Sequence, residues 1–335
     1  MAATLKDVAE QAGVSIATVS RVLNDPEKVA EQSRRKVLDA VEALGYSSNL
    51  LAKSLRQDGL NAVYVLLPSL SDPFFAQMHQ GISDVLASYD YFMLSVTTEG
   101  DRKLEKECLT KAKAMGPSGV LIYTPNDPVP EEWNSFSSSF PILFLSGNAV
   151  EGKSHMTSLL LDRRKAGRQA VDALVETGRR NFLYLCDNNN GVDGEFWKGI
   201  QEAGQAQGCT CQLQRAGRSA GDAGKELEKF WEQTDSLPDS ILTQNSAQAA
   251  GVLSFLQRRN IPVPEQISVL SFENTELTCL LTPPVSVIGP AGYQVGMMGA
   301  KRLLEWIHMP EEETACWQEG VDLIFIPRRS TDVRR

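Results

Sequence analysis

Between Thr4 and Leu44 the apolar residues recur at helical spacing in three short bursts. Leu5, Val8, Ala9 and Ala12 form one stripe, Val19, Val22 and Leu23 a second, and Val37, Val41 and Leu44 a third. Thr4, followed three positions later by Asp7, suits a helix N-cap, and Gly13 supplies a left-handed stop. Ser15 can cap the second helix, and Gly45 closes a third running from Ser33 to Leu44. Three narrow stripes can share one small core, which predicts a helix-turn-helix. After Gly59 the period changes to short β-rich runs alternating with helical segments, the pattern of parallel sheets flanked by helices. The runs are Ala62–Leu67, Tyr91–Val96, Gly119–Tyr123, Ile142–Leu145, Ser158–Leu161, Phe182–Cys186, Ser240–Thr243, Ile267–Phe272, Val285–Ile288 and Val321–Ile326. So many strands fit two α/β subdomains better than one small open sheet.

A length of 335 residues suits about two domains plus a short appendage. With 42% apolar and 22% charged residues the composition is that of an ordinary globular protein. No apolar run approaches the roughly 18 residues of a membrane span, so no membrane partner is expected. The N-terminus lacks a basic stretch followed by an apolar core, which predicts a cytoplasmic protein with reduced thiols. The net charge of −9 is unevenly placed: residues 1–58 hold eight basic and eight acidic side chains, so the whole acidic excess lies in the body. A neutral head can still touch phosphates if its basic groups share a face. Cys209 and Cys211 form the only close cysteine pair, and His79, His155 and His308 are far apart, so neither a metal nor another cofactor is expected. No GxSxG, P-loop or GxGxxG after a strand appears, and an enzyme is not expected.

The string "TLKDVAEQAGVSIATVSRVLND" resembles the headpiece of the lactose-repressor (LacI/GalR) family, and "RRKVLDAVEALGYSSNLLAKSLR" resembles that family's third helix followed by its hinge helix. The resemblance implies an all-α headpiece at residues 1–46, a hinge helix and linker at 47–59, and a periplasmic-binding-protein-like α/β body at 60–335. The body would consist of subdomain N, about 60–159 plus 290–318, and subdomain C, about 160–289 plus 319–335, with crossings near Leu160, Gly289 and Gln318. The implied partner is double-stranded operator DNA, bound by a homodimer. Its contacts would come from Thr4, Leu5, Ser15, Ile16, Ala17, Thr18, Ser20, Arg21, Asn24 and Ser33 in the headpiece, and from Asn49, Ala52, Lys53 and Leu55 in the hinge. Among these, Ile16, Ala17 and Arg21 would read bases, and Leu55 falls where the family places a minor-groove wedge. Ser47 and Ser48 stand before the hinge Asn49, where the family usually has a proline.

In open α/β sheets ligands bind beyond the carboxyl ends of the strands. The resemblance implies a small-molecule effector there, near Asp72, Phe74, Phe75, Met78, Tyr123, Ser146, Asn190, Phe196, Asn245 and Glu273. Several positions depart from the family's usual chemistry. Asp72 stands where Asn is common, Phe196 where relatives commonly place a ligand-gripping arginine, and Ser246 and Glu273 where aspartates are frequent. A pocket without that arginine should favour a neutral, stackable ligand, since Asp72 and Glu273 would repel an anion. A carbohydrate-related effector fits the family, and a protein corepressor acting without a small molecule fits it as well. A solute-binding protein of transport would explain the body and leave the head without a purpose. The expected function is therefore that of a DNA-binding transcriptional regulator, a repressor in the family's usual mode.

Overall fold

The computed structural model describes residues 3–24, 26–46, 60–125, 133–145, 156–187, 193–234, 236–309, 318–321 and 323–332. The chain divides into two compact units, Met1–Leu60 and Asn61–Arg335.

The first unit contains α1 (Leu5–Ala12), α2 (Ile16–Asn24) and α3 (Glu31–Ala43). The start of α1 is a reciprocal cap: the Asp7 amide donates to the Thr4 hydroxyl at 3.3 Å, and the Thr4 amide donates to the Asp7 carboxylate at 2.8 Å. At its end Gly13 adopts φ +63°, where a side chain would be strained. Ser15 then accepts from the Thr18 amide at 3.1 Å and starts α2. Val8, Ala9, Ala12, Val19, Val22, Val37 and Ala40 form the buried core, with Leu5, Val14, Leu23 and Val41 packed against it. The third helix begins at Glu31, two residues before the Ser33 start expected from the sequence, because its first turn carries no apolar residue to mark it.

The second unit holds two six-stranded sheets. The strands are β1 (Leu60–Leu67), β2 (Phe92–Thr97), β3 (Pro117–Ile122), β4 (Ile142–Phe144), β5 (Met156–Leu161), β6 (Asn181–Cys186), β7 (Thr210–Arg215), β8 (Ser240–Thr243), β9 (Ser268–Ser271), β10 (Ser286–Ile288), β11 (Gln318–Val321) and β12 (Phe325–Ile326). The first sheet runs β11-β5-β4-β3-β1-β2 and the second β12-β10-β9-β8-β6-β7. The pairings are parallel, for example Val63 opposite Met93, except β10 with β12, which is antiparallel. Helices cover both faces, so the strands read as continuous apolar runs. On β1, Val63, Val65 and Leu67 point to one core of the first sheet, while Tyr64 and Leu66 point to the other.

Glycine closes helix seams in both halves of this unit. Helices α4 (Pro73–Ser88) and α12 (Gly292–Ile307) approach so closely that a Cβ on Gly81, Gly292 or Gly296 would fall onto a backbone carbonyl of the opposite helix. Helices α7 (Arg163–Glu176) and α8 (Asp193–Ala206) meet in the same way at Gly167 and Gly199.

Two strand expectations change. Strand β7 is absent from the expected runs because Thr210–Arg215 is largely polar, as suits the edge strand that it is. The single run expected at Val321–Ile326 is two strands in two sheets: β11 pairs with β5 through Val321, and β12 pairs with β10 from Phe325. The chain therefore leaves the first sheet after Val321, later than Gln318. The other passages between sheets follow Leu161 and Ile288.

Candidate ligand cleft and nucleic-acid interface

In the first unit, α2 buries Val19 and Val22 and leaves Ser15, Ile16, Ala17 and Arg21 exposed along its outer side, with Thr18 and Ser20 half-buried. The Ser15 and Thr18 hydroxyls lie 2.9 Å apart at the helix start. Short side chains there let a helix lie close to another surface, and the dipole of a helix favours an anion at its N-terminus. Arg21 sits in the last turn, and Ser33, Arg34, Arg35 and Lys36 lie in the first two turns of α3. Thr4 is occupied by the α1 cap, and Leu5 is half-buried against the core. The side chain of Asn24 and the hinge residues Asn49, Ala52, Lys53 and Leu55 lie outside the described residues.

In the second unit the carboxyl ends of strands from both sheets face one small cavity of about 40 Å³. It is lined by Phe74, Tyr123, Phe196, Phe272, Glu273, Arg163 and Arg218, among others. Four aromatic rings make its apolar wall. Phe196, on α8, stacks on Phe272 just after β9, with ring centroids 4.2 Å apart. Tyr123, just after β3, meets Phe75 edge-on at 4.8 Å, and its hydroxyl accepts from the Arg163 guanidinium at 3.2 Å. Arg163 also lies 5.9 Å from the centre of the Phe196 ring.

The polar wall converges on Arg218, in the turn between β7 and α9 (Ala220–Gln233). Its guanidinium donates to Asp187 at 2.9 Å, to Asp72 at 2.7 Å and to Glu273 at 3.3 Å, and it covers the Phe75 ring at 5.5 Å. Asp187 and Glu273 follow strands of the second sheet, whereas Asp72 follows β1 of the first. Asp72 does two jobs: one carboxylate oxygen caps α4 through the Phe74 amide at 3.0 Å, and the other takes Arg218. Burial alone would lower the Arg218 pKa, but Glu273, Asp72 and Asp187 outweigh it, so the guanidinium is held charged. The Glu273 carboxyl is pushed up to about 8, first by burial and then by Asp72, against the pull of Arg218 and the Ser246 amide. The two directions are compatible, because one guanidinium shared among three carboxylates neutralises each only in part.

Of the ligand residues expected from the sequence, Phe74, Tyr123, Phe196 and Glu273 line the cavity, while Asp72 and Phe75 touch it through Arg218. Met78 does not belong to it. One turn beyond Phe74 its side chain faces α12 and is fully buried in the core of the first sheet. Asn245 is instead the N-cap of α10 (Ser246–Arg258), accepting from the Gln248 amide at 2.8 Å, and is buried. Ser146 and Asn190 lie outside the described residues. The expectation of a pocket with few polar groups, drawn from the missing arginine at Phe196, is corrected: Arg163 and Arg218 bring guanidinium groups from other elements. Arg218 follows the unrecognised strand β7, which hid its place at a strand end. Arg163 and Phe272 each stand within two residues of an expected strand's end or inside it, and that position was the available signal.

Residues 4–49 match the family described as bacterial regulatory proteins, lacI family, and residues 171–331 match the periplasmic binding protein-like domain. Catabolite control protein A of Staphylococcus aureus is 28% identical over 319 residues, covering 92% of this chain and 93% of its own. Its namesake from Priestia megaterium is 27% identical over 320 residues with the same coverage. A LacI-family transcriptional regulator from Silicibacter pomeroyi shares the structure at a TM-score of 0.85 and 25% identity, over 98% of this chain and 99% of that one. The lac repressor dimer bound to operator and the anti-inducer ONPF has the same fold, with a TM-score of 0.85 at 21% identity over 99% of each chain. With a lacI-family helix-turn-helix at residues 4–49 ahead of a periplasmic binding protein-like domain, the chain has both parts of the LacI-family DNA-binding transcriptional regulators that it is similar to.

Proposed function

We propose that this regulator binds an inverted-repeat operator as a homodimer and is switched by a small molecule held in the cleft of its second unit. The observation that carries the DNA half is the outer side of α2, where Ser15, Ile16, Ala17 and Arg21 stand exposed on a helix fixed by its own caps and core. Ile16 and Ala17 suit thymine methyl groups, and Arg21 suits the O6 and N7 of guanine. Ser15, Thr18, Ser20, Asn24 and Ser33 are assigned to phosphates, and the hinge residues Asn49, Ala52, Lys53 and Leu55 to the operator centre.

The cleft half rests on the convergence of strand ends, aromatic rings and paired charges at one cavity. Relatives of the same fold have been solved with cellobiose and with ribose. The rings of Phe74, Tyr123, Phe196 and Phe272 offer a ligand stacking surface, while Arg163, Arg218 and Glu273 offer it hydrogen bonds.

Selection from a pool of random duplexes tests the reading. Enrichment of an inverted repeat with half-sites about one helical turn apart is expected. Enrichment of no common sequence, or of a single half-site only, would refute dimeric operator binding.

A further inference from the structure

The cleft is filled by a side chain of the protein itself. Arg218 is anchored in the second sheet's half by Asp187 and Glu273 at 2.9 and 3.3 Å, and it reaches into the first sheet's half to Asp72 at 2.7 Å. Beside it about 40 Å³ stays open, space for a few water molecules and far below the roughly 300 Å³ or more of small-molecule pockets. An effector of sugar size therefore needs the cleft to enlarge, and the guanidinium spans it from one half to the other. Asp72 and Phe196 are the positions at which this chain departs from the family's common Asn and Arg. Together they leave the cleft with an acid on one side and its arginine on another element.

We infer that Arg218 is a cross-cleft latch: its ion pair with Asp72 holds the two halves of the body together without a ligand, and its release is the step through which an effector changes operator affinity. The inference rests on the reading of the cleft as the effector site. The Asp72 carboxylate is largely buried, with a side-chain exposure of 11%, while Arg218 keeps 35%, so solvent screens the pair only in part. Arg163 faces the same space from α7, and its bond to the Tyr123 hydroxyl is a second, uncharged link between the halves. Arg218 thus acts as a positioning residue for the switch.

Asp72→Asn isolates the latch. Asparagine keeps the acceptor that caps α4 through the Phe74 amide and replaces the oxygen facing Arg218 with an NH2 group, which removes both the charge and the acceptor there. Small-angle scattering of the full chain without ligand should show a larger radius of gyration for Asp72→Asn than for the parent. Affinity for the selected operator should shift about 5-fold or more, the ordinary size of an allosteric coupling. In an Arg218→Met background Asp72→Asn should change neither quantity further, a non-additivity that a merely structural role of Asp72 would not produce. An unchanged scattering profile, or an operator affinity within twofold of the parent, overturns the latch. If the parent chain binds the operator and responds to a cleft ligand while Asp72→Asn behaves identically, the latch alone fails. If the parent shows neither response, the reading of the cleft fails with it.

Discussion

At the residue scale the cleft is governed by how one guanidinium is divided. Arg218 serves Asp72, Asp187 and Glu273 together, and Glu273 receives the longest of the three bonds while being pushed up to about 8. The sign of the consequence follows from linkage. Between pH 4.5, the ordinary value for a glutamate, and about 8, the folded chain holds a proton at Glu273 that the unfolded chain has lost. This contribution to stability is complete below pH 4.5 and is lost as pH rises through 8. Replacing Glu273 with Gln, which mimics the protonated carboxyl, should remove that descent, and the melting temperature should then fall less between pH 6 and pH 8.5 than in the parent. An equal fall in both proteins would show that Glu273 does not titrate there. In the headpiece, Arg21→Ala should cost about 1–3 kcal/mol on the selected operator and relax preference at one base pair. Uniform loss on every DNA sequence, measured by competition, would reassign Arg21 to a phosphate.

At the element scale the glycine seams set how the helices approach. Gly296 on α12 lies against the Met78 carbonyl of α4, and backbone cannot step aside as a flexible side chain can. Gly296→Ala should destabilise the body by about 1–3 kcal/mol, read from denaturant midpoints. Gly224 on α9 makes the control. There a Cβ would stand 3.9 Å from the Arg258 guanidinium, and alanine should stabilise by about 0.5–1 kcal/mol through helix propensity. The same scale explains what was readable beforehand. The three headpiece helices were legible because Thr4, Gly13 and Ser15 are capping signals that depend only on near neighbours. The central strands were legible because burial on both faces demands unbroken apolar runs such as Ala62–Leu67. Strand β7 carries Gln212, Gln214 and Arg215 at a sheet edge, and the boundary between β11 and β12 falls inside one short apolar run, so neither leaves a local mark. The cleft was legible as a place, through the strand-end rule, but not as a charge balance. Arg218 meets Asp72 across 146 positions of sequence, and no spacing announces such a pair.

At the scale of the whole molecule a helix-turn-helix unit precedes a two-sheet unit that carries the entire acidic excess of the chain. Phosphate contacts from a nearly neutral head imply that log affinity for operator falls linearly with log salt. The most direct test of the central claim is the affinity for the selected operator, by fluorescence anisotropy, with and without a saturating cleft ligand obtained from a thermal-shift screen of sugars, sugar phosphates, nucleosides and aromatic acids. A change of about 5- to 150-fold is expected, with the ligand's own affinity altered by the same factor when operator is bound, as linkage requires. An operator affinity that stays constant while the ligand occupies the cleft would contradict it.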